Sequence, residues 1–172
     1  IQFSVKQNAN FYYYIEKLIE EKEWMNLFHV IEKRDLLNSF LDFYDEIDKE
    51  MLFSSFITVY TRSEYGFDML KEEMLEEIAF YNPNKKELKT LENKVNIYRG
   101  VASKSVKLGF SWTTNYDTAL WFANRFNSTG YVLEAEIEEQ YVIAYIDDRN
   151  ENEVLILPSK IETLRKKTPI QM

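Results

Sequence analysis

The chain has 172 residues, 45% hydrophobic and 16% aromatic, with four Gly, three Pro and no Cys. That composition suits one folded domain, with or without a smaller appendage, and excludes disulfides, thiol nucleophiles and thiolate-bound metals. A net charge of −8 argues against a broad surface for nucleic acid or anionic membrane, and no stretch reaches the ~18 apolar residues of a membrane span.

Most of the excess acid lies in residues 1–90, and that half reads as helix. Phe11, Ile15, Leu18 and Ile19 recur at helical spacing, as do Leu36, Leu37, Phe40, Leu41 and Tyr44. Met69, Leu70, Met74, Leu75 and Ile78 repeat the pattern, with Lys71, Glu72, Glu73, Glu76 and Glu77 on the opposite face. The periodicity predicts four or five helices between about residues 8 and 81. The single histidine, His29, falls in an apolar helical pattern with Trp24, Leu27, Phe28 and Ile31. It therefore reads as a core or half-exposed residue, not a catalyst. Asn82-Pro83-Asn84 stops the last helix, because proline cannot continue one and biases the residue before it away from helix. A short helical piece is expected over Lys85–Leu91.

After Asn93 the period changes to two. In "VNIYRGV", Val95, Ile97, Arg99 and Val101 share one strand face. "KLGFSW" is a second strand candidate. "TTNYDTALWFANRF" reads as one helix, started by Thr114 with Asp117 three residues on. Its apolar stripe is Ala119, Leu120, Phe122, Ala123 and Phe126. "YVLEAEIE" alternates, with Tyr131, Leu133, Ala135 and Ile137 facing in and Glu134, Glu136 and Glu138 facing out. "YVIAYI" and "EVLIL" are further strands, and "IETLRKK" is an edge-strand candidate. Helices first and strands later predict an α+β protein: a helical subdomain over 1–90 and a β core over 91–172.

Three places in the β half could carry chemistry. Arg99 lies on a core-facing stripe, where a guanidinium needs either an internal carboxylate or an anionic ligand. Ser111 ends a strand just ahead of the helix start, where hydroxyls are most often caps. With His29 in another segment, no Ser-His-Asp triad can activate it. Glu151 and Glu153 enter a late strand two residues apart. In extended chain that puts both carboxylates on one face, roughly 7 Å apart. They are either a solvated turn or a pair able to act on a glycosidic bond. An EF-hand calcium loop fails, because "DRNENE" lacks the central Gly and the twelfth position from Asp148 is Ser159.

In order, "IYRG", "FSWTTNYDTALWFA" and "ENEVLI" resemble the Arg-Ser-Glu class of mono-ADP-ribosyltransferases, a group with many bacterial toxins and phage enzymes. The resemblance covers about residues 94–167 and does not extend to the helical half. It implies a split two-sheet β core with one short helix, NAD as co-substrate and no metal. By that resemblance Arg99, followed by Gly100, holds the NAD phosphates. Ser111 braces the site and orients Glu153, the catalytic glutamate. Trp112 stands where the family usually has Thr, its indole turned away from NAD, and Thr113 replaces the last Ser of the motif. Glu151 is the upstream glutamate that goes with arginine as acceptor. Residues 147–150 match the acceptor-recognition loop, and residues 125–131 match a loop near phosphate and nicotinamide, where Arg125 or Phe126 either contacts NAD or belongs to the helix end. The helical half then covers the NAD-binding face, or binds a target, inhibitor or antitoxin. The implied function is transfer of ADP-ribose to a protein arginine in a cytosol, that of a bacterial host or of a target cell reached by a toxin or effector. The alternatives are an NAD glycohydrolase, transfer to a nucleic-acid base, or an inactive binding module of the same fold.

Overall fold

Four helices follow one another in the first compact unit, residues 1–71: α1 (Ala9–Glu20), α2 (Trp24–Val30), α3 (Leu36–Asp42) and α4 (Lys49–Arg62). The computed structural model describes residues 9–84, 94–102, 108–125, 130–147 and 151–167. In α4 the buried positions Leu52, Ser55, Phe56 and Val59 recur at helical spacing, which gives the helix one face to bury. α3 does the same with Leu36, Leu37 and Phe40. Phe40 lies between Phe28 and Phe56, with both ring centroids 5.9 Å away. Each such ring, fully buried, contributes ~1.5–3 kcal/mol. The end of α2 is closed by α4: the Arg62 guanidinium donates to the carbonyls of Phe28 and His29, the latter at 3.1 Å. A cation there satisfies helix-end carbonyls and complements the helix dipole. His29 is exposed, a correction to its expected core or half-exposed position. Trp24, Leu27 and Phe28 take the buried face, and His29 Nδ1 lies 2.6 Å from the Met25 carbonyl one turn back.

The second unit comprises residues 72–172, so α5 (Glu72–Phe80) groups with the strands. The division expected near residue 90 falls within residues 85–93, outside the described residues, as does the expected helical piece over 85–91. Two contacts tie α5 and its exit turn to the strand region: Glu72 Oε1 accepts from the backbone amide of Ser159 at 2.9 Å, and the Asn82 side-chain Nδ2 donates to the Ile143 carbonyl at 3.0 Å. Asn82 is buried, so the Asn-Pro-Asn stop also docks the turn.

The strands are β1 (Lys94–Val101), β2 (Ser111–Thr113), β3 (Tyr131–Glu138), β4 (Val142–Ile146), β5 (Glu153–Ile156) and β6 (Thr163–Lys167). They form one antiparallel sheet in the order β4-β5-β2-β1-β3-β6. The coarse expectation of an α+β protein is met. Two sheets were expected, and among the described residues hydrogen bonding joins the strands into one. The join is narrow. β1 and β2 share a single register pair, Tyr98 with Thr113, whereas β1 and β3 are paired along their whole length. Each half, β4-β5-β2 and β1-β3-β6, contributes to one apolar core that includes Ile97, Val101, Leu133, Ile137, Trp112, Val154 and Ile156. A sheet nearly parted at one strand pair can bring two halves over a common core.

Of the described residues of "KLGFSW", Leu108–Phe110 precede the strand, which runs from Ser111 to Thr113. β3 alternates as expected, with one addition: Val132 is also buried, against Ala119 and Ala123 of α6 (Tyr116–Asn124). The cap of α6 is Asn115, a correction to Thr114. The Asn115 side chain accepts from the amides of Asp117 and Thr118 at 2.8 and 3.2 Å, as a good N-cap does. The predicted edge strand is β6, on the outer side of β3. No helix among the described residues is long and apolar enough to cross a membrane.

Candidate functional site

β2 and β5 pair so that Ser111 faces Leu155, Trp112 faces Val154, and Thr113 faces Glu153. Side chains alternate across a strand, so Ser111, Thr113 and Glu153 share one face while Trp112 and Val154 share the other. The second face is core: Trp112 and Val154 are buried in the apolar cluster. The first face is the site. There the Ser111 hydroxyl donates to Glu153 Oε1 at 2.5 Å. An O–H···O contact that short is typical of a hydroxyl on a carboxylate.

Arg99 comes to the same place from β1. Its guanidinium donates to the Ser111 carbonyl. One serine thus touches both charged groups, through its hydroxyl on one side and its backbone on the other. A cavity of about 240 Å³ opens here, walled by Arg99, Ser111, Glu151 and Glu153, with Thr118 and Phe122 of α6 opposite. Gly100 and Thr113 also line it.

Glu151 reaches the cavity by a route the periodicity did not predict. The chain between the two glutamates is not extended. Asn152 has φ +46, in the left-handed region, and β5 begins only at Glu153. Asparagine is among the few residues that tolerate this conformation. Two hydrogen bonds hold the turn: Thr113 Oγ1 donates to the Glu151 carbonyl at 2.7 Å, and the Thr114 amide donates to the Asn152 carbonyl at 3.1 Å. Thr113 Oγ1 also accepts from the Asn115 amide at 3.0 Å. Its hydroxyl therefore links the glutamate turn to the start of α6.

Gly100 is shaped first by the helix. A Cβ on it would lie 2.0 Å from the Ala119 carbonyl oxygen and 2.6 Å from the Ala123 nitrogen. Only a glycine lets β1 approach α6 this closely. Arg125 caps the end of α6, with its guanidinium 5.2 Å from the Trp121 ring centre, and it does not line the cavity. Phe126 and residues 148–150 lie outside the described residues, so the expected acceptor loop is represented by Asp147 alone. The structure thus brings Arg99, Gly100, Ser111, Thr113, Glu151 and Glu153 together and leaves Arg125 apart.

Sequence reasoning did not single out Tyr98, Thr118 or Gly109. Thr118 and Phe122 are four apart, so the helical period could have put both on the site face. Nothing in the local pattern flags Gly109, which lies against the Arg99 guanidinium. Among the described residues no group of three or more His, Cys, Asp or Glu side chains could hold a metal ion. No protein-family model, no curated protein and no solved structure matches the chain.

Proposed function

We propose that the chain is a mono-ADP-ribosyltransferase that cleaves NAD and transfers ADP-ribose to an arginine side chain of a protein. One observation carries the reading: a hydroxyl-braced carboxylate, Ser111 on Glu153, in the same cavity as an arginine that contacts that serine. The near-split of the sheet at β1 and β2, with both halves over one core, supports the two-sheet core that the resemblance implies.

The cavity is smaller than the ~300–1,000 Å³ typical of small-molecule sites. It suits the nicotinamide and its ribose, with the rest of the dinucleotide running outward past Arg99. The planar guanidinium fits the diphosphate by bidentate hydrogen bonds. The reacting bond is the one between the pyridinium nitrogen and the ribose C1 carbon. As it breaks, both electrons leave with nicotinamide, which departs neutral, so no acid is required. Positive charge develops on the ribose ring. A fixed carboxylate on that side stabilises it, and such preorganised charge is worth about 10²–10³ in rate. Glu153, held by Ser111, has this role. A guanidinium nitrogen of the acceptor then bonds to C1 and gives up a proton. Glu151 orients the guanidinium and takes the proton. The reading goes with action in a cytosol, where NAD is available as co-substrate: that of a bacterial host or of a cell reached by a toxin or effector.

The test is NAD consumption by wild type and Glu153→Gln, with labelled NAD and a cell lysate as acceptor. Label entering protein with wild type alone is the expected result. Nicotinamide release without labelled protein would replace the transferase with a glycohydrolase. No turnover by wild type across several lysates would overturn the reading in favour of a binding module.

A further inference from the structure

Trp112 occupies the middle of the Ser-x-Thr segment and borders the cavity, but its side chain is buried, at 2% exposure, in the core cluster with Val154 and Ile156. Its polar edge is nonetheless engaged: indole Nε1 donates to the Gly109 carbonyl at 2.8 Å. Gly109 in turn lies directly on the Arg99 guanidinium. A Cβ placed on Gly109 would be 2.7 Å from Nη2, 2.8 Å from Nη1 and 2.9 Å from Cζ, closer than real side chains come. The guanidinium therefore fills the space that a side chain at position 109 would take, and it is hydrogen-bonded to the Ser111 carbonyl. Trp112 follows Ser111 directly, so one short segment supplies both restraints.

We infer that Trp112 is a positioning residue for Arg99: its indole N–H holds the Gly109 carbonyl, and Gly109 fixes the guanidinium in the orientation that receives a diphosphate. Tryptophan suits the task because it combines a large apolar body with one N–H donor. The body locks into the core, so the N–H arrives at a fixed point. Phenylalanine would keep an aromatic body in the core, at the cost of a small gap, and lose the donor. A guanidinium ordered in advance loses less freedom when its ligand binds, so the restraint acts on affinity more than on the chemical step. The inference rests on the transferase reading for the identity of the ligand, but not for the geometry around Arg99.

The experiment compares Trp112→Phe, Gly109→Ala and Arg99→Lys with wild type. For Trp112→Phe the KM for NAD is expected to rise about threefold to tenfold, the scale of one hydrogen bond, with kcat within about twofold. Gly109→Ala lies outside the packed core, and it is expected to raise KM in the same way by displacing the guanidinium. On an Arg99→Lys background, Trp112→Phe is expected to add little, because both act through one group. An unchanged KM in both single variants, or a full additional effect on the Arg99→Lys background, would overturn the inference. A second readout does not depend on turnover. In nitrogen-resolved NMR, both variants should shift the Arg99 guanidinium signal and speed its exchange with water, while the Arg62 signal stays put. If wild type fails to consume NAD, the functional reading falls, and this readout still decides the positioning role: an unmoved Arg99 signal would refute it.

Discussion

The two compact units place their polar side chains differently. In the helical unit the buried positions are nearly all apolar: the buried serines at 39 and 63 bond to carbonyls of their own turns, and buried Ser55 of α4 donates to the Met25 sulfur of α2 at 3.7 Å. Arg62 closes the end of a helix. In the strand unit, Arg99, Ser111, Glu151 and Glu153 come from three separate stretches of chain and converge on one cavity. A helix mainly brings residues three or four apart together, and the polar contacts from Arg62 and Ser55 that cross between helices here close a helix end or meet a thioether and gather no carboxylate. A sheet pairs distant segments, and Ser111 reaches a carboxylate 42 residues away. Convergence of this kind is what a reactive site requires, and it is why the proposed chemistry lies in the second unit.

The sharpest way to break that contrast is to weaken each unit where it is strongest. Glu153→Gln should lower NAD turnover by about 10²-fold or more with little change in thermal unfolding. Phe40→Ala should cost about 3–5 kcal/mol of stability in the helical unit through a core cavity. Denaturant unfolding measured beside NAD turnover separates the two effects. If Glu153→Gln instead lowered stability as much as Phe40→Ala while turnover stayed within about twofold, the division of roles would be wrong.

A smaller effect separates the two carboxylates. Glu151→Gln should abolish labelling of arginine while nicotinamide release persists within about tenfold, because one carboxylate meets the acceptor and the other the ribose. Equal loss of both activities would mean that Glu151 serves the cleavage step. Smaller again is the cap of α6. Asn115→Ala should cost about 1 kcal/mol, seen as a lower denaturation midpoint. It should also raise the KM for NAD, since Thr118 and Phe122 on that helix wall the cavity.

The smallest effect is a pH-dependent one outside the site. Lys94 bonds Glu162 at 2.7 Å and Glu136 at 3.1 Å, all on the exposed side of the sheet. The Lys94 hydrogen bond holds the Glu162 carboxyl below the usual range, and hydrogen bonds to the two glutamates, Glu162 first, raise the Lys94 ammonium. Glu162 therefore adds stability above its unfolded value of about 4.3, and that contribution disappears as pH falls through the lowered folded value. Lys94 contributes below about pH 10.4 and loses its contribution as pH rises through its raised folded value. Glu162→Gln should lower the unfolding temperature slightly at pH 7 and not at all in strong acid. The difference should also shrink in high salt, since exposed pairs are screened.

The helices, their stop at Asn82-Pro83, the alternation of β3 and the order of the site residues were legible in the amino-acid sequence. Each depends on a period or on the stereochemistry of a single residue, and both are local properties. Arg99 on an apolar stripe already required a partner or a ligand, because an unpaired charge on a core face is unfavourable. Other features came only with the tertiary structure. Extended chain was expected between Glu151 and Glu153, whereas a left-handed Asn152 and two hydrogen bonds from Thr113 and Thr114 fix the turn. The helix cap moved from Thr114 to Asn115 because the Thr113 hydroxyl and the glutamate turn hold the chain extended up to that point. The fit of Gly100 beneath α6, and of Gly109 on the Arg99 guanidinium, depends on which elements meet. Periodicity states which side of an element is buried. The distance between two elements, and the residue that must vanish for them to touch, are set only when the whole unit packs.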